Sequence, residues 1–165
     1  MYQARQLKSL RDGGAIGLPL SDPLTYAAAI RATLKEDEGM VVALPGPISV
    51  SVLVITREES QGTSIEISAA EQTRVINQLR AALGGQAAQS DLSFDDAYRR
   101  LSELLVSPMV GKLGTHRKWW VIPGGALATI PWEVLRVDAD RDLGSAVELA
   151  YLPSPVWFLG TAKEV

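Results

Sequence analysis

Arg117-Lys118-Trp119-Trp120-Val121-Ile122-Pro123-Gly124-Gly125-Ala126-Leu127, continued by Ile130-Pro131-Trp132-Glu133-Val134-Leu135, decides how this chain folds. Trp119 to Ile122 is aromatic and β-branched, with no alternating polar positions. Such a run predicts a strand covered on both faces. Pro123 has no N–H for a ladder and ends the strand. Gly124-Gly125 lets the backbone turn with positive φ. Pro131 suits the first position of a short helix that Trp132, Val134 and Leu135 hold to the core. The next strand is expected over Val147–Leu152, closed by Pro153-Ser154-Pro155.

Working outward, Ser21-Asp22-Pro23 reads as a helix start, with Leu24, Ala27, Ala28, Ile30 and Leu34 on one side. Glu36-Asp37-Glu38-Gly39 ends that helix in a solvent-exposed acidic stretch. Met40–Leu44 and Ile48–Thr56 read as two strands joined by Pro45-Gly46-Pro47. In the second, Val50, Val52 and Val54 share one face, and Ser49, Ser51, Leu53 and Ile55 the other. Glu58–Thr63 is expected to be a polar turn, and Ser64–Ser68 an edge strand. Ser68-Ala69-Ala70-Glu71 has capping-box spacing, and Val75, Ile76, Leu79 and Leu83 form the apolar face of the helix behind it. Gly84–Ser90 is a polar linker. Ser93 caps a helix in which Phe94, Ala97, Tyr98, Leu101, Leu104 and Leu105 follow helical spacing, stopped by Ser107-Pro108. Asp138–Ser145 is a loop, and Pro155–Gly160 starts a last helix. The predicted fold is α/β: a mixed sheet with an N-terminal β-hairpin and helices packed on its faces.

The central segment resembles the CHAT domain, a caspase-like, separase-like cysteine-peptidase module often linked to tetratricopeptide repeats. In that family a basic pair precedes a strand ending V/I-P-x-G. A small-x-x-x-P-aromatic-E/A-x-L helix follows, then a strand ending Y-L-P-S. Here these are Arg117-Lys118, Val121-Ile122-Pro123-Gly124, Ala126–Leu135 and Tyr151-Leu152-Pro153-Ser154. Gly124 departs from the family's usual Asp or Asn. Met40–Arg57 resembles the opening strand pair and Phe94–Met109 the helix ending L-L-x-x-P, so the likeness runs over about residues 18–158.

That resemblance implies a caspase-like N-terminal half. Family peptidases carry a catalytic His in a strand ending T-H-G and a Cys in one ending S-A-C-E, both beyond the Y-L-P-S strand. This sequence has no cysteine and one histidine, His116, which precedes the strand ending Val121-Ile122-Pro123-Gly124 rather than standing in the catalytic position. The expectation is a pseudo-protease part over residues 18–165, preceded by a lead-in helix or linker over 1–17, with no catalytic residue and no enzymatic activity of its own. Its expected partners are proteins: a catalytic CHAT half, a repeat domain or a second copy. The alternative is a stand-alone protein-interaction module.

The 165 residues suit one domain. Apolar residues at 47% and charged ones at 21% match a soluble globular chain, expected in the cytoplasm. Sixteen basic against nineteen acidic residues give a net charge of −3. With pI ≈ 5.2, this argues against nucleic-acid or anionic-membrane partners. No stretch reads as a signal peptide or a membrane span.

Cofactor and metal sites are not expected. Gly111-Lys112 lacks a Gly at position 106 and a hydroxyl after the Lys, so it is no phosphate loop. Asp138-Ala139-Asp140-Arg141-Asp142 opens like a calcium loop, but Leu143 and Leu149 stand where Gly and a bidentate Glu are needed. His116 is expected in an exposed loop. The apolar excess is the remaining signal. Consecutive strand residues point to opposite faces, so Trp119 and Trp120 need cover on both. With Trp132, Trp157 and Phe158 they make a candidate partner interface.

Overall fold

The computed structural model describes residues 23–84 and 94–161. The lead-in over 1–17, the Ser21-Asp22 helix start, the Ser93 cap and most of the Gly84–Ser90 linker lie outside the described residues. The elements in order are α1 (Pro23–Thr33), β1 (Glu38–Pro45), β2 (Ser49–Ile55), β3 (Ser60–Glu66), α2 (Ala69–Leu83), α3 (Phe94–Leu105), β4 (Lys118–Pro123), α4 (Leu143–Ala146), β5 (Glu148–Tyr151) and α5 (Pro155–Thr161). Three 3-10 segments, Ser107–Lys112, Gly125–Thr129 and Trp132–Val134, complete them.

The five strands form one mixed sheet in the order β3-β2-β1-β4-β5. β1 pairs antiparallel with β2, and β2 with β3, while β1, β4 and β5 run parallel. The α/β fold and mixed sheet are as the sequence predicts. β1 and β4 are central because they are apolar on both faces, as strands with two neighbours and two covered faces must be.

Two cores follow from the period-2 alternation. On one face Val41, Ala43, Val50, Val52, Val54, Trp119 and Val121 meet Val75, Ile76 and Leu79 of α2, Leu101, Leu104 and Leu105 of α3, and Leu127, Trp132 and Leu135 of the β4–β5 connection. On the other face Met40, Val42, Ile55 and Ile122 meet Ile30 of α1, Leu34 just after it, and Phe158 and Leu159 of α5. Gly39 allows the first core to close. A Cβ there would stand 2.7 Å from the Trp119 ring, inside contact distance, so only glycine lets the indole lie against β1.

Local chemistry departs from the sequence reading in definable places. The turn after β2 is tighter than Glu58–Thr63, with the Thr56 N–H on Glu59 O at 2.8 Å, so β3 begins at Ser60. Glu38 is buried within β1, not solvated at a helix end, and its carboxylate accepts the Lys35 N–H at 3.1 Å. Ala28 and Leu83 are exposed, although both fall on predicted apolar faces. The resemblance implies one helix over Ala126–Leu135, but the chain makes two 3-10 turns. Ile130, at φ −89° and ψ 130°, is held extended by Pro131 behind it and breaks the helix. Of the glycine pair only Gly125 has positive φ, at 51°. Gly124 is required instead by close approach, a Cβ there meeting Ala43 O at 3.1 Å.

Candidate partner surface

The structure does not gather the five candidate aromatic residues on one surface. Trp119 and Trp132 are fully buried in the larger core. Each satisfies its indole N–H on a nearby carbonyl, Trp119 on His116 O at 3.1 Å and Trp132 on Leu127 O at 3.3 Å. Phe158 is 5% exposed and lies in the opposite core, its ring 5.3 Å from that of half-buried Trp120. Lys118 Nζ stands 4.5 Å from the Trp120 ring centroid, a cation–π geometry. Helices cover both sides of β4, so Trp119, Trp132 and Phe158 sit in internal packing and Trp120 is half-buried against Phe158. Trp157, 48% exposed, alone keeps a surface position.

Other apolar groups reach the surface at the hairpin end, where Leu44 is 54% and Ile48 74% exposed. Beside them a shallow groove of about 330 Å³ runs over Val42, Leu53, Gly62 and Thr63. Leu53 marks the start of this open part of the sheet, since Ser49, Ser51 and Ser64 are the small polar residues of a solvated hairpin face.

The β5 edge is built differently. The Glu148 N–H bonds Arg117 O at 2.8 Å, and the Leu152 N–H bonds Val121 O at 2.9 Å. Alternation along a strand then turns the main-chain groups of Leu149 and Tyr151 away from β4. β4 is the one strand paired with β5 among the described residues. At its end the Tyr151 hydroxyl accepts the Trp132 N–H at 3.2 Å. Burial first, and the neighbouring Glu133 carboxylate next, push the Tyr151 hydroxyl's pKa above the ordinary 10.0.

Polar clusters do not converge on a reacting position. A cleft of about 510 Å³ is lined by Asp95, Asp96, Arg99, Glu103, Arg136 and Asp138. Arg99 reaches Asp96 at 3.1 Å and Glu103 at 3.5 Å, and Arg136 lies 4.9 Å from the Tyr98 ring centroid. The calcium-like opening is occupied by its own loop. Asp138 accepts the N–H groups of Asp140 and Arg141 at 3.0 Å and the Arg141 guanidinium at 2.6 Å. The Arg141 hydrogen bond, then that from Asp140, holds the Asp138 carboxyl below its usual range. Asp142 caps α4 by accepting the Ser145 N–H at 2.8 Å. Among the described residues no three His, Cys, Asp or Glu side chains stand where they could hold a metal ion together.

His116 is buried, at 7% exposure, contrary to the exposed loop predicted for it. It closes the underside of Trp119, with ring centroids 5.9 Å apart. A lone histidine beside two basic residues gives no sequence signal of burial.

No family model matches the chain, and no curated protein matches it. Among solved structures the chain is similar to Ta0583, an archaeal actin homolog, with 13% identity and a TM-score of 0.44 over 87% of this chain and 56% of that one. It is similar to the Alp12 filament, at 10% identity and TM-score 0.36, covering 84% and 51%. A third likeness is to the PilM-PilN type IV pilus biogenesis complex, at 16% identity and TM-score 0.37, covering 94% and 48%. The chain spans about half the length of each of these chains. Among the described residues no helix is long and apolar enough to cross a membrane.

Proposed function

We propose that this chain is the non-catalytic scaffold or regulatory half of a CHAT, caspase-like cysteine peptidase of the cytoplasm, packing against a catalytic half or a partner chain. The observation that carries the reading is the β5 edge. The two strands bearing V-I-P-G and Y-L-P-S are parallel neighbours, and β1, β4 and β5 stand side by side in chain order. The next parallel strand of such a sheet would lie against the outward main chain of Leu149 and Tyr151. Peptide cleavage by this family's chemistry needs a thiolate with a base beside it. The sequence holds no cysteine, and the ring of His116 is enclosed under Trp119.

The test has two arms. Active-site-directed cysteine-protease probes and a peptide library should leave the purified chain unlabelled and the peptides uncut. Labelling or turnover would overturn the reading. In the second arm the natural reading frame beyond Val165, or a neighbouring gene, should encode strands ending T-H-G and S-A-C. The polypeptide it encodes should protect the Leu149 and Tyr151 amides from exchange when mixed with this chain. If no such sequence exists, the stand-alone interaction module stands instead. Half-exposed Trp157 favours that second reading, and Trp157→Ala should then abolish partner binding.

A further inference from the structure

His116 is the one histidine of the sequence, and its side chain is 9% exposed. Its Nδ1 lies 3.1 Å from the Lys112 carbonyl oxygen and 2.8 Å from Thr115 Oγ1. A carbonyl oxygen can only accept, so Nδ1 bonds the Lys112 carbonyl only when it carries the proton, and that tautomer is assigned to the neutral ring. The Thr115 hydroxyl, 3.1 Å from the same carbonyl, can donate to it while accepting from Nδ1. Nε2 is then a bare acceptor, buried and without a hydrogen-bond partner. The group it faces is the carboxylate of Glu58, 3.7 Å away, which can also only accept. Two acceptors meet with no proton between them, an arrangement that one proton would convert into a charge-assisted hydrogen bond.

The other charged groups nearby have partners of their own. Arg31 of α1 donates to the Arg57 carbonyl at 3.3 Å and to the Glu58 carbonyl. Lys112 pairs with Glu59, and Arg57 lies 3.9 Å from Glu36. The Arg117 and Lys118 N–H groups bond the Asp37 carbonyl, and the Lys118 ammonium lies 3.7 Å from the Glu148 carboxylate. Glu58 is left as the carboxylate opposite Nε2. The backbone N–H of its own turn, then the Thr56 hydroxyl, hold its carboxyl below the usual value, with His116 contributing less. Glu58 is thus charged throughout the range in which an imidazole takes up its proton.

We propose that His116 and Glu58 form a proton-operated clamp: one proton taken from solvent by Nε2 fastens the turn between β2 and β3 to the 3-10 segment Ser107–Lys112 and the entry of β4. No covalent bond changes. The clamp joins segments far apart in sequence beneath Trp119, so its state sets how firmly the hairpin is held to the larger core. It does not rest on the peptidase reading.

The single imidazole makes the test direct. In the intact 15N,13C-labelled chain, ring nitrogen shifts at about pH 8.5 should report the Nδ1–H tautomer. On acidification to roughly pH 5.5, the Glu58 Cδ resonance should move together with the ring. Amide exchange at Arg57, Glu58 and Glu59, corrected for its intrinsic pH dependence, should slow about fivefold. Glu58→Ala, at an exposed position, should keep the tautomer and lose the change in exchange. Glu58→Gln offers an amide donor to neutral Nε2 and should hold the turn at both pH values. An Nε2–H tautomer in the neutral ring would overturn the clamp. So would an exchange response in Glu58→Ala equal to that of the unaltered chain.

Discussion

At the scale of single residues, the tryptophans divide by the company they keep. Trp132 is fully buried in the larger core and donates its indole N–H to Leu127 O. Trp132→Ala should therefore lower unfolding free energy in urea by about 3–5 kcal/mol. Trp157→Ala, at a half-exposed site, should cost less than about 1 kcal/mol. Gly39→Ala inserts a methyl group at 2.7 Å from the Trp119 ring, and should cost about 1–3 kcal/mol by the same titration. Tyr151 gives a pH dependence of known sign. Its folded pKa lies above the ordinary 10.0, so its contribution to stability is complete below pH 10.0 and fades as pH rises beyond it. Thermal melts across the alkaline range should show the unaltered chain losing stability more steeply there than Tyr151→Phe.

At the scale of elements, one buried amide adds a polar tie between the hairpin turn and α2. Gln72 of α2 donates through Nε2 to Gly46 O at 2.8 Å and Ile67 O at 2.9 Å, tying the β1–β2 turn and the end of β3 to the first turn of α2. Gln72→Met keeps the volume and strands both carbonyls, so it should cost about 1–3 kcal/mol. Amide exchange should localise the loosening to the hairpin and the start of α2. Ser68 supports the same junction, accepting the Glu71 N–H at 3.2 Å as its capping-box spacing predicts. The element the family likeness describes as one helix is two 3-10 turns, because Pro131 disfavours helical geometry at Ile130. Those turns still bring Leu127, Ile130, Trp132 and Leu135 onto the sheet. The apolar spacing is met by a different backbone.

At the scale of the whole molecule, apolar burial on both faces of one sheet carries the fold, and charge contributes little. Most of the ion pairs join side chains that are substantially solvated, as in Arg99–Asp96, Arg57–Glu36 and Arg141–Asp138. Such pairs are each worth about 0–1 kcal/mol and are screened by salt. Raising sodium chloride from about 0.05 to 0.5 M should accordingly shift the melting temperature by no more than about 2 °C. The two ends of the sheet differ in kind. Both edges carry outward main-chain groups, but β3 is a polar edge rich in serine, threonine and glycine, whereas β5 is a short edge of Glu, Leu, Ala and Tyr. That asymmetry is why the proposed partner is assigned to β5.

What the residues alone determined is periodicity: the strand runs of β1, β2, β4 and β5, most of the apolar faces of α2 and α3, and that Trp119 and Trp120 must be covered from opposite sides. These are local properties, set by two-residue and 3.6-residue repeats and by the conformational limits of proline and glycine. Only the tertiary structure decided which aromatic groups remain outside. Whether Trp132 or Trp157 is buried depends on where a helix distant in sequence comes to rest, and no local repeat encodes that. His116 is the sharpest case, because burial and an orphaned nitrogen opposite Glu58 arise from contact between segments far apart in the chain.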